Sequence, residues 1–280
     1  MGSGRLVRGT GPTGLNRIDL EREEERSHAM DIQLKKKFLE LWKRYFNGAE
    51  LPIVFYYSDN AGDIEIVKKP SGHACIIGVL NKVRKGRALS FNMDSIGCFG
   101  AKRYIGYDKQ IMPDFEYFLS CGIPGKIEGE RYKRSPEIVR EIMKNMPDFD
   151  APAKYIIFKR WDSLDKNDNP EVVIFYATAD ILSGLFTLAG FDETESNSVV
   201  APFSSGCGSI VMHPYLEKDM PRPRCIIGMF DVSARPFVQS KILTFSVPMM
   251  KFERMISNMK ESFLITPSWK KVRSRIARSK

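Results

Sequence analysis

Several features that define common protein classes are missing from this 280-residue sequence. No apolar run approaches the ~20 residues that span a bilayer. No short apolar segment precedes a small-residue cleavage site, as a secretion signal requires. These absences predict a cytoplasmic protein without a membrane partner.

The motifs of common hydrolases and nucleotide-binding proteins are missing as well. Beyond residue 29 the histidines are His73 and His213, and neither belongs to an H-E-x-x-H motif. The sequence has no G-x-S-x-G nucleophile elbow. The glycine-rich segment 122–129 is not a P-loop, because Lys126 is misplaced and no Ser or Thr follows it. Hydrolytic catalysis therefore has little support, and whether the chain is an enzyme is left open.

Cysteine is scarce and irregularly spaced, and no pair shows the C-x-x-C spacing of a metal site. In a chain without a secretion signal, an odd number of cysteines favours free thiols or ligands over a disulfide framework. The five cysteines are Cys75, Cys98, Cys121, Cys207 and Cys225.

The two ends of the chain differ in composition from the middle. Residues 1–29 lack apolar periodicity and are interpreted as an expression leader or a disordered tail. Residues 270–280 are strongly basic in a chain of net charge +9. Such a tail either contacts nucleic acid or acidic partners or forms a solvated helix end, where cations suit the helix dipole. No nucleic-acid motif accompanies it, so the solvated helix end is favoured and nucleic acid is an unlikely partner.

Periodicity and turn residues between these ends predict a mixed α/β (α+β) fold. Apolar residues at helical spacing predict a helix that begins near Met30 and ends before Gly48. The loop 165–170 is expected to join the last two of the predicted strands as a hairpin. Further helices are predicted at 73–85 and from Ser135 onward, and strands at 52–57, 88–91, 155–158 and 172–176.

The second half of the sequence repeats the order of the first. Strand 55–57 corresponds to 175–177, helix 73–85 to a helix around Gly184, and strand 88–91 to 199–203. The turn Ser95-Ile96-Gly97-Cys98 corresponds to Ser204-Ser205-Gly206-Cys207. This order predicts an internal duplication, with two pseudo-equivalent halves packed as one globular unit. The predicted halves are residues 30–150 and residues 151–280, the second ending in the basic helix.

The two corresponding turns are the predicted site. Glycine at 97, 100 and 206 lets the backbone bend and approach a ligand. A helix start presents free N–H groups and is expected to lower the pKa of a cysteine there. Cys98 and Cys207 face one shared site if the halves pack about a pseudo-twofold axis. Lys102 and Arg103 are expected to add positive charge.

Three kinds of chemistry fit such turns, beside the simpler interpretation that a free cysteine is buried in a core. Thiolates of Cys75, Cys98, Cys207 and Cys225 could bind an iron–sulfur cluster or another soft metal. A pair of thiols could cycle with a disulfide. The helix starts could instead bind an anionic small molecule.

The segment Gly97-Cys98-Phe99-Gly100-Ala101, with Tyr104-Ile105-Gly106 after it, resembles domain-of-unknown-function family 169. Members show a Cys-x-Gly-Ala turn and then a leucine- or isoleucine-glycine step. They also have an earlier helical cysteine, matched by Cys75, and a cysteine near the second turn, matched by Cys207. The resemblance covers roughly residues 40 to 260.

This chain departs from the family at a late Gly-Cys-x-Gly-Cys-Arg pattern, where it has Arg224-Cys225-Ile226-Ile227-Gly228. The resemblance implies a shared fold and site but no established reaction. Its members come from anaerobic bacteria and archaea, which suits an oxygen-sensitive centre.

The leading hypothesis from the sequence is a cysteine-centred protein that binds a cofactor or metal and has a redox role. Its partners would be a small-molecule ligand or a redox protein, and the oligomeric state is not indicated. The alternative is a non-catalytic protein that binds an anionic metabolite. A weaker alternative is a basic nucleic-acid accessory.

Overall fold

The computed structural model describes residues 30–72 and 74–278 of the chain. The predicted leader, residues 1–29, lies outside the described residues, as do His73 and residues 279–280. Within the described ranges the chain forms nine α-helices and eight β-strands. None of these helices is both long and apolar enough to cross a membrane.

The strands are short and form a single sheet. They are β1 (Ile53–Ser58), β2 (Glu65–Ile66), β3 (Leu89–Phe91), β4 (Tyr155–Arg160), β5 (Val172–Ala177), β6 (Val199–Val200), β7 (Cys225–Gly228) and β8 (Leu243–Pro248).

The helices alternate with these strands along the chain. They are α1 (Ile32–Tyr45), α2 (Ile76–Arg84), α3 (Phe99–Tyr104), α4 (Phe115–Phe118), α5 (Pro136–Lys144), α6 (Ala179–Ala189), α7 (His213–Glu217), α8 (Met249–Asn258) and α9 (Pro267–Arg278). A π-helical segment, Gly208–Met212, runs directly into α7.

Local sequence explains where the first helix begins and ends. The Asp31 side chain accepts a hydrogen bond of 2.7 Å from the amide of Gln33, which satisfies an amide that the helix cannot. Phe38, Leu41 and Trp42 follow at helical spacing and are buried. Gly48 has a φ of +97°, a left-handed conformation in which glycine is favoured. The predicted first helix is therefore confirmed.

The strand order in the sheet is β2-β3-β4-β1-β5-β8-β7-β6, so the predicted mixed α/β fold is confirmed. Strands β2 and β3 are parallel, as are β6 and β7, and the other neighbours are antiparallel. Helices cover both faces of the sheet. Because the central strand β5 is buried along its whole length, it consists of apolar residues without alternation.

The order of the strands shows the repeat that the sequence predicted. Counted outward from the centre, β1-β4-β3-β2 and β5-β8-β7-β6 have the same connectivity and the same relative directions. Strands β1 and β5 meet antiparallel, with Ile53 opposite Ile174. This arrangement corresponds to a pseudo-twofold axis perpendicular to the sheet. Strand β4, which begins at Tyr155, completes the first set of four although it follows the predicted boundary at residue 150.

Three of the predicted correspondences between the halves differ from the structure. The turn at Cys98 follows β3, whereas the turn at Cys207 lies between β6 and β7, so the two turns are not equivalent by position. Rotation about a twofold axis perpendicular to the sheet maps each face of the sheet onto itself. Equivalent helices would therefore pack on the same face. Helix α2 packs on one face and α6, which contains Gly184, packs on the other. The equivalent of β3 is β7 by position, whereas the sequence order had matched strand 88–91 with 199–203. The predicted hairpin at 165–170 is also wrong, because β1 lies between β4 and β5 and pairs with both.

Two apolar cores lie on opposite faces of the sheet. The aromatic face is the one covered by α1, α6, α8 and α9, and its core contains Phe38, Trp42 and Phe252. The cysteine face is the one covered by α2, α3 and the π-helical segment with α7. Its core includes Cys207, and Cys75 and Cys98 pack against that core. The predicted turns at Cys98 and Cys207 therefore open onto the same face.

Candidate functional site

Cys75 is the residue that precedes α2, and its side chain is half-buried. It makes no side-chain cap hydrogen bond, although its carbonyl oxygen accepts one of 3.1 Å from the amide of Gly78. Burial raises the pKa of the Cys75 thiol, and the amides of Ile77 and Gly78 lower it by a smaller amount. The thiol at this helix start is therefore held in its protonated form.

Cys98 precedes α3 and is also half-buried. The residue before it, Gly97, fits closely against the segment that leads to Cys75. A Cβ atom at position 97 would lie 2.5 Å from Cγ of Pro70 and 2.6 Å from the carbonyl oxygen of Gly72. Because a side chain would not fit, glycine at this position allows the Cys98 turn to approach the Cys75 turn.

Cys207 is buried at the start of the π-helical segment, between α2 and α3. A Cβ at Gly206 would lie 3.4 Å from Cγ1 of Ile77 in α2, and one at Gly208 would lie 2.9 Å from Cδ1 of Tyr104 in α3. The Oγ atom of Ser205 lies 3.2 Å from Sγ of Cys207. The two glycines thus bring the Cys207 turn against both helices of the first half.

Together these turns form the cysteine cluster, which consists of Cys75, Cys98 and Cys207. Burial raises the pKa of Cys207 to about 12, the Ser205 hydroxyl lowers it, and the charges of Cys98 and Cys75 raise it further. Cys98 likewise contributes to the raised pKa of Cys75. The three side chains are therefore close enough to influence one another electrostatically, and each lies at the beginning of a helical segment.

The expected lowering of cysteine pKa values by helix starts is not found at Cys75 or Cys207. Burial removes water from the thiolate. This cost exceeds the stabilisation from the amides of Ile77 and Gly78 at Cys75, and from the Ser205 hydroxyl at Cys207. The cluster of the free protein therefore contains protonated thiols at these two positions. A ligand that requires thiolates must displace their protons when it binds.

Asp231 is the acidic group of this site. Its Oδ2 atom accepts a hydrogen bond of 3.1 Å from the amide of Gly206, and its Oδ1 atom accepts bonds from the amide and hydroxyl of Ser233. Its charge raises the pKa of both Cys75 and Cys207. The cluster thus combines thiols with a carboxylate, which favours a cation over an anion.

Tyr104, in α3, completes the wall of the site. Burial raises the pKa of its hydroxyl to about 12, and the charge of Cys207 contributes in the same direction. Sequence reasoning did not select Asp231, Tyr104 or Ser205. The only available signal was the position of Ser205 inside the Ser-Ser-Gly-Cys turn, whereas the approach of the other two depends on tertiary packing.

The other two cysteines lie apart from the cluster. Cys225, at the start of β7, is buried in the core of the aromatic face, across the sheet from the cluster. Its position removes it from the four-cysteine ligand set expected from the sequence. Cys121 is exposed in the turn after α4. Within residues 30–72 and 74–278, no group of three or more His, Cys, Asp or Glu residues is placed to bind a metal ion.

The remaining predicted site residues, Gly100, Lys102 and Arg103, lie in α3. Lys102 and Arg103 occupy its last turn, and the amide of Lys102 donates a hydrogen bond of 3.3 Å to the carbonyl oxygen of Cys98. One guanidinium nitrogen of Arg103 donates to the carbonyl oxygen of Lys109 at 2.5 Å, and another lies 3.7 Å from Asp148. A Cβ atom at Gly100 would lie 3.8 Å from Cε2 of Tyr104, an ordinary van der Waals distance, so packing does not require glycine there. Arg103 is therefore engaged by its own neighbours, although its charge still lowers the pKa of Tyr104.

The basic C-terminal helix packs on the protein rather than standing free. Trp269 and Ile276 are buried in the core of the aromatic face. The indole nitrogen of Trp269 donates to the carbonyl oxygen of Tyr45 at 2.9 Å, and Arg273 donates to that of Arg44 at the same distance. This packing agrees with the interpretation of the tail as a partly solvated helix end.

Comparison with known proteins gives one match. The sequence profile of the DUF169 family, described as uncharacterised ArCR, matches residues 44–258. The chain belongs to the DUF169 family. The matched range includes all eight strands and the three residues of the cysteine cluster. No curated protein and no solved structure matches the chain significantly.

Proposed function

We propose that this DUF169 protein is a binding protein whose ligand is a soft metal cation, coordinated by the thiols of Cys75, Cys98 and Cys207. The observation that carries the proposal is that three cysteines lie in three turns that pack against one another, with the Asp231 carboxylate bonded to one of these turns. Thiolates are the protein ligands that zinc, copper(I) and iron–sulfur centres prefer.

Electrostatics favour a cation at the cysteine cluster. Asp231 contributes negative charge to the cluster, whereas Lys102 and Arg103 lie in the last turn of α3. An anionic metabolite would have to approach that carboxylate, and the Arg103 guanidinium is already bonded to Lys109 and close to Asp148. This comparison favours the metal hypothesis over the alternative of anion binding at the same turns.

The number of thiols favours a single metal ion over an iron–sulfur cluster. Such clusters usually take four cysteine ligands, and Cys225 lies across the sheet from the other three. A cluster here would need a ligand other than cysteine at its fourth position. We also retain the hypothesis of a redox role, either of the metal or of a thiol pair.

Metal binding at this site requires movement of the side chains and loss of protons. The described ligands are not placed to hold an ion together in the free protein, and the pKa values of Cys75 and Cys207 are raised. Binding of a divalent ion by these thiols therefore releases their protons. We expect the affinity to increase as the pH rises.

The test is to purify the protein without oxygen and to measure its zinc, copper, iron and acid-labile sulfide. The same measurement follows anaerobic reconstitution of protein that is isolated without metal. We expect one metal ion per chain in the wild type and a loss of that metal in Cys98→Ser and Cys207→Ser. Cys225→Ser is the matched control, since it also removes a buried thiol and should keep the metal.

Two results would overturn the proposal. One is wild-type protein that takes up no metal even after reconstitution. The other is equal metal content in Cys207→Ser and Cys225→Ser, because metal binding would then not depend on the cysteine cluster. Stoichiometric sulfide together with iron would instead assign an iron–sulfur centre to the same residues.

A further inference from the structure

A cavity of about 450 Å³ lies beside the cysteine cluster but outside it. It opens where β5 and β7 end and β8 begins, between α6 and the segment that follows β7. Leu182, Met229, Phe230 and Leu243 contribute apolar walls. This volume is within the range of pockets that bind small organic molecules.

Two cations line the cavity, and one of them is fixed in position. The guanidinium of Arg235 donates to the carbonyl oxygens of Met229, Ile242, Gln239 and Ser240. All four acceptors are neutral, so these bonds position the guanidinium without neutralising its charge. Lys241 lines the same cavity and is exposed.

The beginning of α6 adds to this positive potential. Ala179, its first residue, lines the cavity, and Thr178 before it makes no side-chain cap hydrogen bond. The acidic residue of that first turn, Asp180, forms an ion pair with Arg275. The amide groups of the first turn therefore add partial positive charge beside the two cations.

An aromatic side chain is exposed at the same place. Phe230 is 57% exposed, although it is a large apolar residue that a soluble protein would ordinarily bury. It follows Met229, which has a φ of +69°, an unusual backbone conformation for a residue other than glycine. The backbone at Met229 thus positions Phe230 at the rim of the cavity.

We propose that this cavity binds a small organic anion, in which an acidic group is attached to an apolar, planar body. The acidic group would lie near Arg235, Lys241 and the first turn of α6, and the body would contact Phe230 and Leu182. The site is independent of the metal proposal, since none of its lining residues belongs to the cysteine cluster.

The probe is 8-anilinonaphthalene-1-sulfonate, which has this chemistry and fluoresces when its rings leave water. It is titrated into the folded full-length protein, and neutral 1-anilinonaphthalene serves as the same body without the acidic group. We expect one site for the sulfonate. Lys241→Gln should weaken the affinity for the sulfonate about fivefold, as expected for the loss of one partly exposed charge pair. The same variant should bind the neutral probe as the wild type does. Phe230→Ala should weaken both probes about tenfold.

Matched controls are Lys260→Gln and Phe191→Ala, which alter exposed residues elsewhere on the surface. Both should bind the sulfonate as the wild type does. Absence of sulfonate binding, or binding that Lys241→Gln and Phe230→Ala leave unchanged, would overturn the proposal. Cys207→Ser should retain the sulfonate site, so failure here and failure of the metal proposal are separate results.

Discussion

The two faces of the sheet are built from different kinds of side chain. On the aromatic face, Phe38 lies 5.1 Å from Trp161 and 5.0 Å from Phe252, measured between ring centroids, in edge-on arrangements. On the cysteine face, three cysteines each precede a helical segment. Buried hydroxyls of Tyr176, Thr244 and Ser246, on strands beneath that face, have no hydrogen-bond partner within the described chain.

This difference indicates a division of roles between the two faces. Aromatic rings bury large apolar areas and make favourable ring contacts, so they contribute strongly to stability. Buried hydroxyls without a partner lose their contacts with water and so lower the stability. We therefore expect the aromatic face to dominate the free energy of unfolding and the cysteine face to dominate ligand binding.

The largest expected effect is the loss of an aromatic side chain from the aromatic face. Trp161 is fully buried against Phe38 and Phe252. Trp161→Ala should lower the free energy of unfolding by about 4 kcal/mol, measured by urea denaturation. Phe186→Ala is the control on an exposed ring, with an expected change of less than about 0.5 kcal/mol. Similar losses in the two variants would contradict the comparison.

A smaller but substantial effect is expected from the buried ion pair at the edge of the same face. Nζ of Lys159 lies 2.7 Å from Oδ2 of Asp168, and the hydroxyl of Tyr56 donates to Asp168 at 2.5 Å. Asp168→Asn removes the buried charged partner of Lys159 and leaves only the exposed carboxylate of Asp165, so we expect a loss of about 3 kcal/mol in thermal or urea unfolding.

Asp165→Asn provides the matched control for that pair. Asp165 lies 3.1 Å from the same lysine nitrogen, but its side chain is 57% exposed. Because solvent screens an exposed pair, this variant should lose less than about 1 kcal/mol. Equal losses of stability in Asp165→Asn and Asp168→Asn would show that burial of the carboxylate does not determine how strongly its ion pair with Lys159 stabilises the fold.

The two buried thiols, one on each face, should respond alike to alkaline pH. The pKa of both Cys207 and Cys225 is raised from 9.0 to about 12, chiefly by burial. The folded protein then holds each thiol proton more tightly than the unfolded chain does. The contribution of each thiol to the free energy of unfolding is therefore fully present below pH 9 and is lost as the pH rises towards 12. Replacing either cysteine with serine should reduce the loss between pH 8 and pH 10 by about 1 kcal/mol.

Urea denaturation at those two pH values measures this effect. Cys121→Ser is the control, because its side chain is exposed, and its pH dependence should match that of the wild type. If Cys207→Ser also kept the wild-type pH dependence, the Cys207 thiol would not be held in its protonated form by folding.

The smallest expected effect concerns a hydroxyl beneath the cysteine face. Ser246 is fully buried and its Oγ atom has no partner among the described residues. Ser246→Ala should therefore change the stability by about 0 to 1 kcal/mol in the stabilising direction. Ser262→Ala should instead cost about 1 kcal/mol, because Ser262 caps a helical turn. A clear loss in Ser246→Ala would indicate that this hydroxyl has a partner.

The sequence predicted much of the fold because its signals are local. The periodicity of α1, the Ser135-Pro136 start of α5 and the apolar run of β5 each depend on neighbouring residues, and all three elements were found. The position of β1 between β4 and β5 could not be predicted, because strand pairing depends on contacts between residues far apart in the chain. The hairpin expected at 165–170 failed for that reason.

The candidate site was predictable in part. The repeated turn with glycine before cysteine pointed to Cys98 and Cys207, and the structure brings both onto one face. Their expected activation was wrong for Cys207, because the sequence alone does not determine how completely a thiol is buried. Cys225 is separated from the other cysteines because its side chain points to the opposite side of the sheet. The sequence could not predict this side, because the four residues of β7 are three apolar residues and a glycine and show no alternation of polar and apolar positions.

The most direct test of the cysteine cluster is a cadmium titration of the reduced protein, followed by the ultraviolet absorption of thiolate–cadmium bonds. One variant replaces Cys75, Cys98 and Cys207 with serine, and the other replaces Cys121 and Cys225. We predict one cadmium ion per chain for the wild type and for the second variant, and no thiolate absorption for the first. Equal absorption from the two variants, or none from the wild type, would contradict a metal site at the cysteine cluster.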